Sequence, residues 1–471
     1  MKNIANTDAD RLEMLKSVGV ASSDDLFLDI PPAVRNPRLN VPAGRSEASI
    51  RRFLAELADG NASADRYALF LGAGAYHHFI PSAVPYLTSR GEFSTPYTPY
   101  QPEVSQGTLQ SIFEFQSLVC RLTGMEVANA SLYDGATAIA EAAVMATAIT
   151  KRRRVAISGA LHPEYKEVLL THLSGRDIAV SDTSEVENPV FAGGVSSPAA
   201  AEQIVDEQTA CLIVQNPNFF GCLEDLKSLG QVAHSRGALF VVSAYPIALG
   251  LLRPPAVCGA DIVVGEGQPL GNSLSFGGPY LGLLATKAKY VRYIPGRLVG
   301  ATTDDRGQKG YVLTLQTREQ HIRRERATSN VCTNEALCAL SSAIYLAVLG
   351  PRGLRSVAEQ CVQKAHYLAE RVVQIPGFSL AFQTPFFNEF AVRCPVPPGE
   401  LNRRLLDQGI IGGYELGRRF TELSEAMLLC VTEMNTLDEM ERLLAVLREA
   451  AGGSHLSGHP GSERDGEEQD V

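Results

Sequence analysis

The segment Tyr133-Asp134-Gly135-Ala136-Thr137-Ala138 opens an Ala-rich stretch of helical composition. A glycine at a helix start lets backbone N–H groups close on an anion, and the helix dipole favours negative charge there. Thr137 adds a hydroxyl. Asp134 at the same place is also an ordinary N-cap, so the segment alone supports an anion cup or simple capping. A second group, Tyr76-His77-His78, follows the flexible turn Gly72-Ala73-Gly74. Its two imidazoles line a cleft or sit on a capped, solvated loop. Tyr97 and Tyr100 lie among Pro96, Pro99 and Pro102, where neither a helix nor a central strand can form. Ordering such a loop costs conformational entropy, so a partner or the chain's own packing must hold it. Arg318, His321, Arg323, Arg324 and Arg326 crowd into one stretch. They suit an anchor for a carboxylate, a phosphate or an acidic carrier. Glu319 stands at i,i+4 from Arg323, and with Glu325 it partly neutralises the cluster, which favours a charge-paired surface or subunit contact. Cys332 and Cys338 lack zinc spacing and read as packing residues.

These side chains must be positioned by a large scaffold. The chain has 471 residues, 45% hydrophobic and 20% charged, with a net charge of −10. That length buries a core without staples. The acidic balance excludes a dedicated nucleic-acid binder, and no continuous apolar run of membrane-spanning length is apparent. The polar start and nine scattered cysteines without a C-x-x-C pair point to the cytoplasm. Short apolar runs at 154–158, 211–215, 239–242, 261–264 and 282–285 alternate with helical stretches or turn-rich connections. This predicts parallel βαβ units covered on both faces. Before them, residues 1–60 read as a helical arm. One helix carries Leu12, Leu15 and Val18 after Asp10 as cap, and a second carries Ile50, Phe53, Leu54 and Leu57 after Ser46. The large domain spans 61–333. A long helix from Asn334, broken at Gly350-Pro351, opens a smaller α+β domain over 334–451. Residues 452–471 have the composition of a disordered tail.

The order of elements resembles the large domain of fold-type-I pyridoxal-phosphate enzymes. In that family a glycine-rich helix start holds the phosphate and an aromatic residue or His stacks on the ring. An acid pairs with the ring nitrogen, and a lysine after the next strand carries the coenzyme. On this chain Gly135, Ala136 and Thr137 would be the phosphate cup and His162 the stacking residue. The two residues that matter most fail to match. The strand ending Ser243-Ala244-Tyr245 has no acid where the family carries Asp. Glu266 and Gln268 stand where the lysine would be wanted. The chain has nine lysines, none between Lys227 and Lys287. The cup and His162 therefore read as vestigial.

Three long blocks make the resemblance specific. They are Gly265-Glu-Gly-Gln-Pro-Leu-Gly-Asn-Ser-Leu-Ser-Phe-Gly-Gly-Pro-Tyr-Leu-Gly282, the run from Tyr311 to Glu325, and the run from Ser94 to Gly107. They are similar to the alpha chain (subunit 1) of glycine dehydrogenase (decarboxylating), the P-protein of the glycine cleavage system. The likeness covers about residues 5–449. It implies a split enzyme, α2β2, whose beta subunit carries the lysine-bound pyridoxal 5'-phosphate. With that subunit the chain would decarboxylate glycine and pass the aminomethyl group to the oxidised lipoyl arm of the H-protein, whose disulfide accepts the electrons. This chain would supply no catalytic residue and no covalent coenzyme. His77, His78, Tyr97 and Tyr100 would be candidates for one wall of the cleft. Two other readings are a free-standing coenzyme-dependent enzyme using Lys287, and a pure scaffold with no role at the cleft.

Overall fold

The computed structural model describes residues 5–35, 37–94 and 96–453. The expected disordered tail lies outside the described residues from 454 onward. Contacts divide the chain into two units, Met1–Asn61 and Ala62–Val471.

In the first unit the helices are Asp8–Val18 and Glu47–Asp59, and none of their residues is buried. The first helix is capped by Thr7, not by Asp10 as expected. Thr7 Oγ1 accepts from the Asp10 N–H, and Asp10 accepts back from the Thr7 N–H. The acid three residues into the helix completes a capping box. Gly19, left-handed at φ 83°, ends it.

The second unit is built on a seven-stranded sheet: β1 (Val127–Ala128), β2 (Arg154–Ile157), β3 (Ala179–Asp182), β4 (Thr209–Asn216), β5 (Leu239–Ala244), β6 (Ile262–Glu266) and β7 (Gly282–Thr286). Their spatial order is β1-β7-β6-β5-β4-β2-β3. Strands β2 to β6 are parallel to one another, with β3 at one edge of the sheet. Helices cover both faces, because alternate residues of the same strands enter different cores. Leu212, Val214, Phe240, Val242 and Val263 join Phe115, Val119, Tyr345 and Leu346. Cys211, Ile213, Leu239, Val241 and Ile262 join Ala138, Ile139, Ala142 and Leu169. Nearly unbroken apolar strands satisfy both faces.

Two sequence expectations are corrected at the sheet edge. Gly282–Thr286 belongs to no parallel unit; it runs antiparallel to β6, pairing Ile262 with Thr286 and Glu266 with Gly282. A parallel return needs a crossover, usually a helix, and residues 267–281 form none. The short strands β1 and β3 escaped the sequence pattern.

Beyond the sheet, the helix Ala336–Val372 breaks at Gly350, φ 59°. By length and composition it passes for a membrane span. Ala339, Leu340, Ala358, Cys361, Ala365 and Leu368 on it are buried in the protein. A four-stranded antiparallel sheet follows, ordered Ser379–Leu380, Glu389–Arg393, Ala426–Cys430, Tyr414–Glu415. The helices Pro398–Asp407 and Leu437–Gly453 accompany it. The carboxyl ends of β2, β4, β5 and β6 point to one side, where open α/β sheets bind ligands.

Candidate functional site

The helix Gly135–Thr150 begins on that side. Asp134 accepts from the Thr137 N–H at 2.7 Å, and Thr137 Oγ1 accepts from the Asp134 N–H at 3.1 Å. The Thr137 hydroxyl thus belongs to a capping box and offers nothing to a ligand. The Gly135 N–H donates to Glu266 Oε2 at 2.8 Å. Glu266 Oε1 accepts from the N–H groups of Gln268 at 2.8 Å and Leu281 at 3.0 Å. The helix start therefore holds an anion, and the anion is this chain's own carboxylate. Burial pushes Glu266 up to about 7 against the pull of the three N–H donors.

Gly135 is required for this approach. A Cβ there would lie 3.0 Å from Glu266 Cβ, from the Glu266 nitrogen and from Tyr165 Oη. Gly135→Ala should lower unfolding free energy by about 1–3 kcal/mol through overpacking, measurable by urea denaturation.

Gln268, at the place of the expected lysine, has its amide fully engaged. Its Oε1 accepts from the Tyr76 N–H at 2.9 Å, while Nε2 donates to the carbonyls of Tyr76 at 3.0 Å and Asn272 at 2.8 Å. His162 is equally committed. Its Nδ1 accepts from the Glu164 N–H at 3.1 Å, which makes Nε2–H the donor to the Ala73 carbonyl at 2.8 Å. Burial holds its pKa below the usual value, so the ring is neutral. The ring stacked on it, at 4.5 Å and 22°, is Tyr165.

The Tyr76-His77-His78 loop is not solvated, because acids from the C-terminal half clamp it. Glu389 accepts from the Ala73 N–H and from Tyr76 Oη, each at 2.7 Å. Glu433 meets His78 Nδ1 and the Phe79 N–H, also at 2.7 Å each. His78 Nε2 bonds the hydroxyl of Tyr245, the residue standing where an acid was wanted. Thr432 holds the His77 carbonyl at 2.7 Å. Beside this loop lies a cavity of about 500 Å³, lined by Asp65, His77, His78, Gln268 and Phe276 among others. No described lysine lines it.

Other expected groups scatter. Tyr97 is 85% exposed and does not line the cavity. Tyr100 stands apart as well, with the Arg297 guanidinium 5.7 Å from its ring and His321 edge-on at 6.1 Å. The arginine cluster divides. Arg318 turns inward to the Ile294 carbonyl, while Arg323, Arg324 and Arg326 face solvent. Glu319 pairs with His321 at 3.6 Å rather than with Arg323. The helix there is only Gln320–Arg323, so the i,i+4 spacing spans no continuous helix. Cys332 and Cys338 remain free thiols. Lys287 pairs with Asp261 Oδ1 at 2.6 Å. That pair marks the start of β6, roughly 16 Å from Glu266 at its end, counting a strand's rise per residue.

Sequence reasoning missed the roles of Glu266, Glu389, Glu433 and Tyr165. The available signal for Glu266 and Glu389 was an acid at the tip of an apolar run, as in Ile262–Glu266 and at the start of Glu389-Phe-Ala-Val392.

A mostly parallel sheet with a ligand-type helix start, a ring-stacking histidine and a lysine position at the strand ends defines the fold-type-I pyridoxal-phosphate-enzyme scaffold. The comparisons agree. Glutamate decarboxylase from Lactobacillus brevis, 13% identical, shares the fold with a TM-score of 0.66 over 90% of this chain and 96% of its own. A crystal structure of glycine decarboxylase (P-protein) of the glycine cleavage system, in inhibitor-bound form, superposes with a TM-score of 0.88 at 43% identity. It covers 96% of this chain and 100% of that one. The glycine cleavage system P-protein family model matches residues 1–447. Probable glycine dehydrogenase (decarboxylating) subunit 1 of Desulforamulus reducens is 52% identical over 95% of this chain and 99% of its own. Its counterpart from Thermomicrobium roseum is also 52% identical, over 94% and 98%. The chain belongs to the glycine cleavage system P-protein family.

The coenzyme of this fold does not fit the residues present. A carboxylate occupies the helix start expected to hold the phosphate, an amide stands where the lysine was expected, and a tyrosine stands where the acid was expected.

Proposed function

We propose that the chain is the coenzyme-free alpha subunit of a two-chain glycine decarboxylase. The beta subunit carries pyridoxal 5'-phosphate on its lysine, and the pair assembles as α2β2. The assembly decarboxylates glycine and hands the aminomethyl group to the lipoyl arm of the H-protein. The observation that carries this reading is the engaged amide of Gln268: a lysine's place is taken by a group that cannot form an imine and is spent on backbone bonds. The alternative based on Lys287 loses support, because that ammonium is paired to Asp261 at the far end of the strand. Nine free cysteines, five of them buried, favour the cytoplasm.

The test is reconstitution. The purified chain alone should show no glycine–bicarbonate exchange and no coenzyme absorbance that borohydride removes; the beta subunit added to it should restore exchange. Exchange by this chain alone overturns the reading.

The first unit supports the need for a partner. Fourteen large apolar side chains between Leu12 and Leu57 are more than one-third exposed. With roughly half of the ~60–120 Å² behind 1.5–3 kcal/mol of burial still exposed on each, together they approach the ~800 Å² that one side of a stable interface covers. Phe53→Asp with Leu57→Asp should weaken binding to the beta subunit about tenfold or more, read by sedimentation. The circular dichroism of the isolated chain should stay unchanged.

A further inference from the structure

The misfit with the coenzyme is more than the loss of a lysine. Each part of the coenzyme's place is taken by a side chain of this polypeptide. At the helix start the Glu266 carboxylate collects N–H donors from three places: Gly135 on the helix, Gln268 after β6 and Leu281 before β7. On His162 lies the Tyr165 ring, nearly parallel at 4.5 Å. The Tyr165 hydroxyl reaches the helix start, 3.0 Å from where a Gly135 Cβ would be. The phenol thus spans from the stacking histidine to the anion cup, the span a phosphorylated aromatic coenzyme must cover. Beyond the cup, Gln268 closes the lysine position against the Tyr76 backbone.

From this arrangement we infer that the site is a self-filled oxyanion site, in which the Glu266 carboxylate substitutes for a ligand's phosphate and Tyr165 for its ring. The chain excludes pyridoxal phosphate by occupancy as well as by lacking an amine. A buried carboxylate is costly at the end of an apolar strand. It is retained because three converging N–H donors would otherwise be unsatisfied, and their shape and polarity fit an oxyanion. This deepens the coenzyme-free reading above, and it is testable without the partner or any activity.

The experiment removes the internal anion and offers one from solution. Glu266→Ala, and Glu266→Ser in case the alanine variant fails to fold, are melted in inorganic phosphate, in acetate, and in chloride at matched ionic strength. Either variant should melt lower than the parent in chloride and regain several degrees in phosphate or acetate. The parent should respond to all three salts alike. Gln268→Lys alone should give no borohydride-trapped pyridoxal phosphate at position 268 by peptide mapping, whereas Gln268→Lys with Glu266→Ser and Tyr165→Ala should give it. Two results overturn the inference: an oxyanion response no larger in the variants than in the parent, or trapping by Gln268→Lys alone as complete as in the triple variant. Neither touches the reconstitution assay, so the two readings fail separately.

Discussion

Glu433→Ala is expected to destabilise the chain by about 2–4 kcal/mol, since each buried donor left unsatisfied costs about 1–3 kcal/mol. The side chains of His78 and Glu433 are 2% and 8% exposed, and they meet at 2.7 Å. The same carboxylate holds the Phe79 N–H and accepts from Cys361 Sγ at 3.5 Å, so its loss frees three donors and releases the loop that carries Tyr76. Urea unfolding should show the lost stability. Hydrogen exchange should show residues 76–80 losing protection beyond the global change. Glu433→Gln, which keeps an acceptor, should lose less. The pair also has a pH signature. Burial raises the Glu433 pKa, but the hydrogen bond and charge of His78 outweigh it and leave the group below its ordinary value. Its contribution is therefore present above the unfolded value of about 4.3 and lost as pH falls through the folded one. Glu433→Gln should remove that part of the acid limb. Equal stability of Glu433→Ala and parent would show that the clamp contributes nothing.

Stability should also fall between about pH 4.3 and pH 7, against the usual trend for acidic proteins. Glu224 and Glu389, like Glu266, are pushed up to about 7 by burial, against the hydrogen bonds that lower them. A carboxyl whose folded pKa lies above its unfolded pKa binds its proton more tightly in the native state. Its stabilisation is complete below about 4.3 and is lost as pH rises to 7, with no further change above. Each group contributes on the order of 3 kcal/mol over that window. Glu389 accepts from the Ala73 N–H and Tyr76 Oη, and Glu224 from the Ser196 N–H at 3.1 Å and Asn218 Nδ2 at 2.8 Å. Glutamine at either position should flatten its share of the slope when urea midpoints at pH 5 and pH 7.5 are compared. A slope unchanged in Glu224→Gln/Glu389→Gln would refute the assignment.

Much of the scaffold was legible because its signals are local. The runs at β2, β4, β5 and β6 are short, apolar and bounded by polar turns, and the structure places each within two residues of the sequence reading. The break at Gly350-Pro351 and the stop at Gly19 follow from backbone conformations that glycine accepts readily. The thin edge strands were not legible. Val127–Ala128 is two residues long, and its pairing with Ala285 and Thr286 is set by a strand about 160 residues later.

By itself the sequence determined the class of scaffold and the missing chemistry, because strand pattern and side-chain identity need no third dimension: Gln268 cannot become an amine in any fold. Only the tertiary structure decided what fills the place instead. Gly135 and Glu266 are 131 residues apart, Tyr76 and Glu389 313, and His78 and Glu433 355. Whether such an acid is an exposed charge or the counter-ion of a helix start depends on which donors the closed chain brings within 3 Å of it. That convergence is a property of packing across the whole unit, which no local periodicity encodes.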